Sequence, residues 1–297
     1  MGLESDAKSD AVAIVGSGAV GQMLAYFLKK ANITTVLCYG KGGVRSVVSK
    51  VKLRNAVEHF ETESDGPLPQ LWFFTVKAYD LKAALDQWLL HIPRTAKIVI
   101  LSNGYIEDEV APFRKVFPAS NIRKGVVSRG AKFAEDGSLE ISSKGSVIWG
   151  GAIHTISPLE DAIFEALKDE GFAWSKDACD ARKEKWYFNT VLNTLAGVYQ
   201  LARNGDVPAL AEYPLLCHEV YVLGSVLWPD WKAKEDELKT KLDALVVMTA
   251  QNENSMAADI RLKRPTEAAY LSGHVKTIAN AATLLPQLYC FNAKLSG

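Results

Sequence analysis

The sequence predicts an α/β N-terminal domain followed by a second, all-α C-terminal domain. Three observations carry that expectation. The apolar run Ala11-Val-Ala-Ile-Val15 meets a glycine-rich turn and then a helical pattern. Two further runs of strand length, Leu71-Trp-Phe-Phe-Thr-Val76 and Lys97-Ile-Val-Ile-Leu101, end abruptly in polar residues. From Asp180 onward, turn signals thin out and long helical periodicities take over, punctuated by Pro208, Pro214, Pro229, Pro265 and Pro286. The boundary falls near Ser175, giving domains of residues 1–175 and 176–297, with residues 1–10 as a polar, flexible tail. At 297 residues and 48% hydrophobic content, both domains have material for a core.

In the first domain the glycine turn is Gly16-Ser17-Gly18-Ala19-Val20-Gly21, and Val20, Met23, Leu24, Phe27 and Leu28 then recur at helical spacing. Strand, glycine turn and helix in that order match a Rossmann-type dinucleotide site. The glycines allow a tight turn and close backbone approach to a pyrophosphate at the helix N-terminus. Gly16, Ser17, Gly18, Ala19, Val20 and Gly21 are therefore candidate cofactor contacts, against the plainer reading of a turn that only packs. Residues 34–39 form the second strand, whose end in an NAD enzyme usually carries an acid for the ribose. Here no acidic residue occurs between Ala11 and Val57, whereas Lys41, Arg45, Lys50, Lys52 and Arg54 do. A positive, acid-free loop favours the 2′-phosphate of NADP, with Lys41 the best-placed contact and Arg45 the alternative; a solvated basic loop is the other reading.

Lys77 directly follows the run of residues 71–76, and Asn103 follows that of residues 97–101 after Ser102, at the carboxyl ends where open parallel sheets bind ligands. Each could equally cap a helix, and residues 81–90 between them are helix-like. Beyond Asn121, residues 122–127, 131–133, 139–141 and 146–149 suggest shorter antiparallel strands. Pro158 opens a helix to Leu167, and residues 172–174 make a last strand.

The second domain carries a polar ladder. Lys185, Asn189 and Asn193 stand four residues apart within the apolar run that starts at Trp186. Each step advances a helix by about 6 Å and turns it by only about 40°, so the three heads form one stripe. An ammonium and two amides among residues destined for burial face one another or a ligand. A second constellation is Gln251-Asn252-Glu-Asn254-Ser255-Met256, then Asp259-Ile-Arg261 and Pro265-Thr266-Glu267. Asn252 and Ser255 can share a helix face or a first turn, and Glu267 can open a helix; ordinary capping is the competing reading.

Thirty-four basic residues balance 34 acidic ones, so no net field recommends nucleic acid or an anionic membrane as a partner. Cys38, Cys179, Cys217 and Cys290 show no zinc spacing and suit a reducing compartment. No apolar stretch reaches membrane-spanning length and the first ten residues lack a signal-peptide core, so a soluble, cytoplasmic protein is expected. The helical pattern breaks at Trp228-Pro-Asp-Trp231; these tryptophans suit either the domain's own core or the face of a homodimer.

Taken together, these motifs resemble the ketopantoate reductase (2-dehydropantoate 2-reductase) family. The resemblance runs from Gly16 to about Gly273, through the glycine turn, Thr75-Val-Lys77-Ala, Asn103-Gly104, Lys185 with Asn189 and Asn193, and Asn254-Ser255-Met256 to Thr266-Glu267. It implies NADPH-dependent reduction of an α-keto acid, ketopantoate to pantoate, for pantothenate and coenzyme A synthesis. It further implies that Lys185 is the general acid and that Glu267 positions it. Ser255 would hold the substrate carboxylate, and Asn189, Asn193 and Asn252 would bind substrate. Lys77 and Asn103 would stand around the nicotinamide and the substrate, with Glu267 also near the cofactor. The sequence departs from the family at Val127-Ser-Arg129-Gly, Asn103-Gly-Tyr105 and Arg203-Asn204-Gly205-Asp206-Val207. A related 2-hydroxy acid dehydrogenase with another keto-acid substrate is the first alternative, and a non-catalytic NADPH sensor the second.

Overall fold

The computed structural model describes residues 11–39, 43–44, 48–53, 56–61, 69–151 and 156–296. The expected N-terminal tail, Lys41 and Arg45 lie outside the described residues. The chain divides into two compact units, one of Met1–Ser102 and Glu107–Cys179, the other of Asn103–Ile106 and Asp180–Gly297. The break in the chain comes four residues after Ser175. The short excursion Asn103–Ile106 into the helical unit has no counterpart in the hydrophobic pattern.

The first unit begins β1 (Val12–Val15), α1 (Ala19–Lys30), β2 (Thr35–Tyr39), β3 (Gly43–Val44), β4 (Val48–Leu53) and β5 (Ala56–Glu61). It continues with β6 (Leu71–Phe74), α2 (Ala78–Trp88), β7 (Lys97–Ile100), α3 (Glu107–Val110), β8 (Ile122–Val127), β9 (Ala131–Phe133), β10 (Leu139–Ile141), β11 (Val147–Gly150), α4 (Pro158–Leu167) and β12 (Phe172–Trp174). The main sheet runs β12-β11-β8-β7-β6-β1-β2-β3. β1 lies between β2 and β6, parallel to both, and β6 to β7 is also parallel. Every residue of β1 and β6 is buried, as strands covered on both faces must be. Because β2 flanks β1 on one side and β6 on the other, the strand order reverses at β1, and the glycine turn leaves the sheet at that point.

Two expectations are corrected. β8 pairs with β7 in parallel, not antiparallel, because residues 101–121 are long enough for a crossover. β12 is likewise parallel to β11, and β10 to β4, although β8–β11 and β9–β10 are antiparallel as expected. The basic segment after β2 is also not simply a loop. β4 and β5 pair antiparallel and, with β10 and β9, form a second sheet of order β5-β4-β10-β9.

The helical unit comprises α5 (Ala178–Tyr199, whose first two residues end the first unit), α6 (Tyr213–Leu227), α7 (Glu235–Met248), α8 (Ser255–Arg261), α9 (Ala281–Leu284) and α10 (Pro286–Ser296). Its core gathers Tyr187, Val191 and Leu195 of α5, Leu216, Val220 and Leu223 of α6, and Leu238 and Leu242 of α7. Of the tryptophans at the break, Trp228 belongs to this core and the partly buried Trp231 packs against it. Trp228 packs edge-on to Trp186 with ring centroids 5.1 Å apart. Trp231 covers Gly224, where an added Cβ would stand 2.5 Å from its ring. None of the described helices is long and apolar enough to cross a membrane. All four cysteines are unpaired, and no group of metal-ligating side chains occurs among the described residues.

Candidate active site

Lys185 lies on the first half of α5, a helix built from strong formers and an apolar stripe, and Trp186 and Tyr187 beside it are buried. Lys185 Nζ donates to Asn103 Oδ1 at 2.9 Å. The same amide donates through Nδ2 to Glu267 Oε2 at 3.2 Å. Only one orientation of the amide meets both demands, since an ammonium needs an acceptor and a carboxylate a donor. Asn103 is therefore the link between a cation 82 residues away and an anion 164 residues away in sequence.

The electrostatics of this trio are opposed. Burial pushes the Lys185 pKa down from 10.5 to about 8; the charge of Glu267 raises it and that of Arg182 lowers it further. Glu267 itself is only 7% exposed and stands just before a single helical turn, Ala268–Tyr270. A lysine so placed stays charged at neutral pH yet gives up its proton more readily than an exposed one, as a general acid requires.

The rest of the ladder divides. Asn189, one turn on from Lys185, remains partly exposed. Asn193 is buried, and its Oδ1 accepts from Asn254 Nδ2 at 3.0 Å, so that oxygen is committed to the fold. Asn254, part of the second constellation but given no role of its own there, is a junction. Its Nδ2 also reaches Asn204 Oδ1 at 3.0 Å, and its Oδ1 caps α8 by accepting from the backbone of Met256 and Ala257. The signal was an asparagine directly before an amphipathic helix, which is the N-cap pattern. Ser255 is the first residue of α8 and Asn252 lies in the loop before it; both are exposed, and neither is the cap.

In the first unit the glycine turn fits a dinucleotide. Gly16 has φ +115°, and a Cβ there would lie 2.8 Å from Thr75 Oγ1. A Cβ on Gly21 would lie 1.8 Å from the Gly16 carbonyl oxygen, so the helix can approach the turn only as glycine. A Cβ on Gly18 would meet nothing within 4 Å, which leaves the mouth of the turn open where a pyrophosphate would approach. Thr75 Oγ1 donates to the Gly16 carbonyl at 3.0 Å and fastens the turn to the end of β6. Gly18 is the N-cap of α1 without a side-chain bond, and the first turn carries no acid, so the helix end favours an anion. Ser17 lies in the same turn, and Ala19 and Val20 open α1. Lys77 takes the N-cap position of α2 but makes no capping bond there.

Comparisons with known proteins place both parts of the chain in one family. The family model described as ketopantoate reductase PanE/ApbA matches residues 12–153, and that of its C-terminal domain matches residues 177–284. A 2-dehydropantoate 2-reductase of Yersinia pestis is 29% identical over 69% of this chain and 66% of its own length, just under two thirds. One from Vibrio cholerae is 22% identical over 89% of each chain. Among solved structures, a D-mandelate dehydrogenase with NADH and anilino(oxo)acetate aligns with a TM-score of 0.78 at 17% identity, over 97% of this chain and 100% of that one. A dimeric ketopantoate reductase from Staphylococcus aureus aligns at 0.73 and 16% identity, over 96% and 97%. At such identities the structures attest a shared fold. The two family models span most of the chain, and it belongs to the ketopantoate reductase PanE/ApbA family, as an NADP-dependent oxidoreductase acting on CH–OH groups.

Proposed function

We propose that this protein reduces 2-dehydropantoate (ketopantoate) to pantoate with NADPH, a step toward pantothenate and coenzyme A. The observation that carries the reading is the hydrogen-bonded series from Lys185 through Asn103 to Glu267. When bound, the cofactor supplies the hydride that reaches the carbonyl carbon. Lys185 gives its proton to the carbonyl oxygen and its charge stabilises the alkoxide as it forms. Glu267, acting through the Asn103 amide, holds the ammonium in place. Ser255 and Asn252, both exposed, receive the substrate carboxylate and a polar group, and Asn189 and the amide nitrogen of Asn193 bind the substrate from α5. Gly16 to Gly21 hold the pyrophosphate, Lys77 stands by the nicotinamide, and Lys41, with Arg45 as the alternative, takes the 2′-phosphate. The protein works in the cytoplasm, as a homodimer like its Staphylococcus aureus relative.

A second reading, reduction of another 2-keto acid, is favoured by Tyr105. It stands where the family resemblance leads one to expect methionine or leucine, and its ring lies 5.2 Å from that of Trp228 and 4.6 Å from that of His274. Steady-state kinetics with ketopantoate beside a panel of aliphatic and aromatic 2-keto acids separates the two. The highest kcat/KM on ketopantoate supports the first reading; activity only on other acids supports the second.

A further inference from the structure

Arg182 lies one helical turn before Lys185 on α5 and is only 7% exposed. A guanidinium is costly to bury unless its donors are used. Its Nη2 donates to the carbonyl oxygen of Gly104 at 2.8 Å. That peptide follows directly on Asn103, whose amide joins Lys185 to Glu267. The next residue is held from the other side, because the Tyr105 N–H donates to the Tyr270 carbonyl at 2.8 Å, three residues beyond Glu267. Gly104 has φ +85°, and a Cβ there would stand 2.6 Å from Tyr270 Cβ, so the segment is seated closely on the turn that follows Glu267.

We propose that Arg182 is a positioning residue for the reduction: by holding the Gly104 carbonyl it fixes Asn103 as the link between Lys185 and Glu267. The inference rests on the assignment of Lys185 as proton donor. An arginine suits the task because it stays charged at any working pH and cannot exchange protons with the lysine beside it. It also acts at a distance. The charged groups that bear on the Lys185 amine are Glu267, which favours the ammonium, and Arg182, which favours its loss of a proton. Without Arg182 the amine should hold its proton more tightly and Asn103 should lose its fixed place.

The test compares kcat, KM and the pH profile of kcat/KM in the parent, Arg182→Gln, Arg182→Lys and Lys185→Ala. The substrate is ketopantoate, or the panel acid that turns over fastest. Folding is followed by circular dichroism and cofactor binding by NADPH fluorescence. Arg182→Gln should fold and bind NADPH, lose kcat by about a hundredfold, as a misplaced catalytic group does, keep a similar KM, and move the basic limb of the profile to higher pH. Arg182→Lys, which keeps the charge but not the fork, should have an intermediate kcat with the limb where the parent has it. Parent-like kcat and limb in a folded Arg182→Gln overturn the proposal. Should that variant fail to fold, Arg182→Lys decides: lowered kcat with an unmoved limb supports the role, and parent kcat refutes it. Retained turnover in Lys185→Ala removes the underlying reading together with this one, whereas an inactive Lys185→Ala beside an unaffected Arg182→Gln removes this one alone.

Discussion

Lys185, Asn103 and Glu267 were each legible as chemistry-bearing residues, but their connection was not. Nothing in a spacing of 82 or 164 residues says that one amide will face both a lysine and a glutamate. That fact depends on residues 103–106 joining the helical unit, which local pattern cannot convey. The electrostatic outcome was equally hidden, because burial and the two neighbouring charges act in opposite senses. It leads to a signed expectation. Reduction needs the ammonium form, so kcat/KM for the keto acid should be level below pH 7 and fall as pH rises through about 8, the reverse oxidation rising over the same interval. A flat profile between pH 7 and 9 would show that the lysine does not donate the proton. At Gly104 the constraint is steric. Gly104→Ala should lower stability by roughly 1–3 kcal/mol, the usual cost of forcing a side chain into strained backbone, readable as a shift in the urea midpoint; an unchanged midpoint would mean that the segment is not held as described.

Among the elements, the central strands and α5 could be read directly, because buried parallel strands are continuous apolar runs and a long helix repeats its apolar face. β4 and β5 could not. Their segments, Val-Ser-Lys-Val-Lys-Leu and Ala-Val-Glu-His-Phe-Glu, carry enough charge to imitate a loop, and only pairing within the second sheet makes strands of them. Asn254 shows the same limit at a helix start. Its four side-chain hydrogen bonds join α5, the helical turn that Asn204 begins and the first turn of α8, while a sequence shows the capping pattern and not the bonds to Asn193 and Asn204. Asn254→Ala should cost the cap, about 1–2 kcal/mol, with a further loss from the orphaned amides of Asn193 and Asn204. If Ser255 holds the substrate carboxylate, KM should rise more than kcat falls. Equal thermal stability and equal KM in the variant would contradict the junction role.

For the whole molecule, the division of labour follows from two chemistries that the chain keeps apart in sequence. The glycine turn at the switch point of the sheet is shaped for a pyrophosphate, and the hydrogen-bonded trio of Lys185, Asn103 and Glu267 is built within the helical unit. Cofactor choice tests the first. NADPH should outperform NADH in kcat/KM, and replacing both Lys41 and Arg45 with alanine should erase most of that preference while leaving kcat with saturating cofactor nearly unchanged. Equal efficiency with the two cofactors in the parent would refute a 2′-phosphate contact. The most direct test of the central claim is the turnover of Lys185→Ala under saturating NADPH and keto acid, with NADPH affinity measured on the same preparation. The account predicts a loss of at least about a hundredfold in kcat, the scale of a missing general acid, with NADPH binding intact; near-parental kcat in that variant would contradict it.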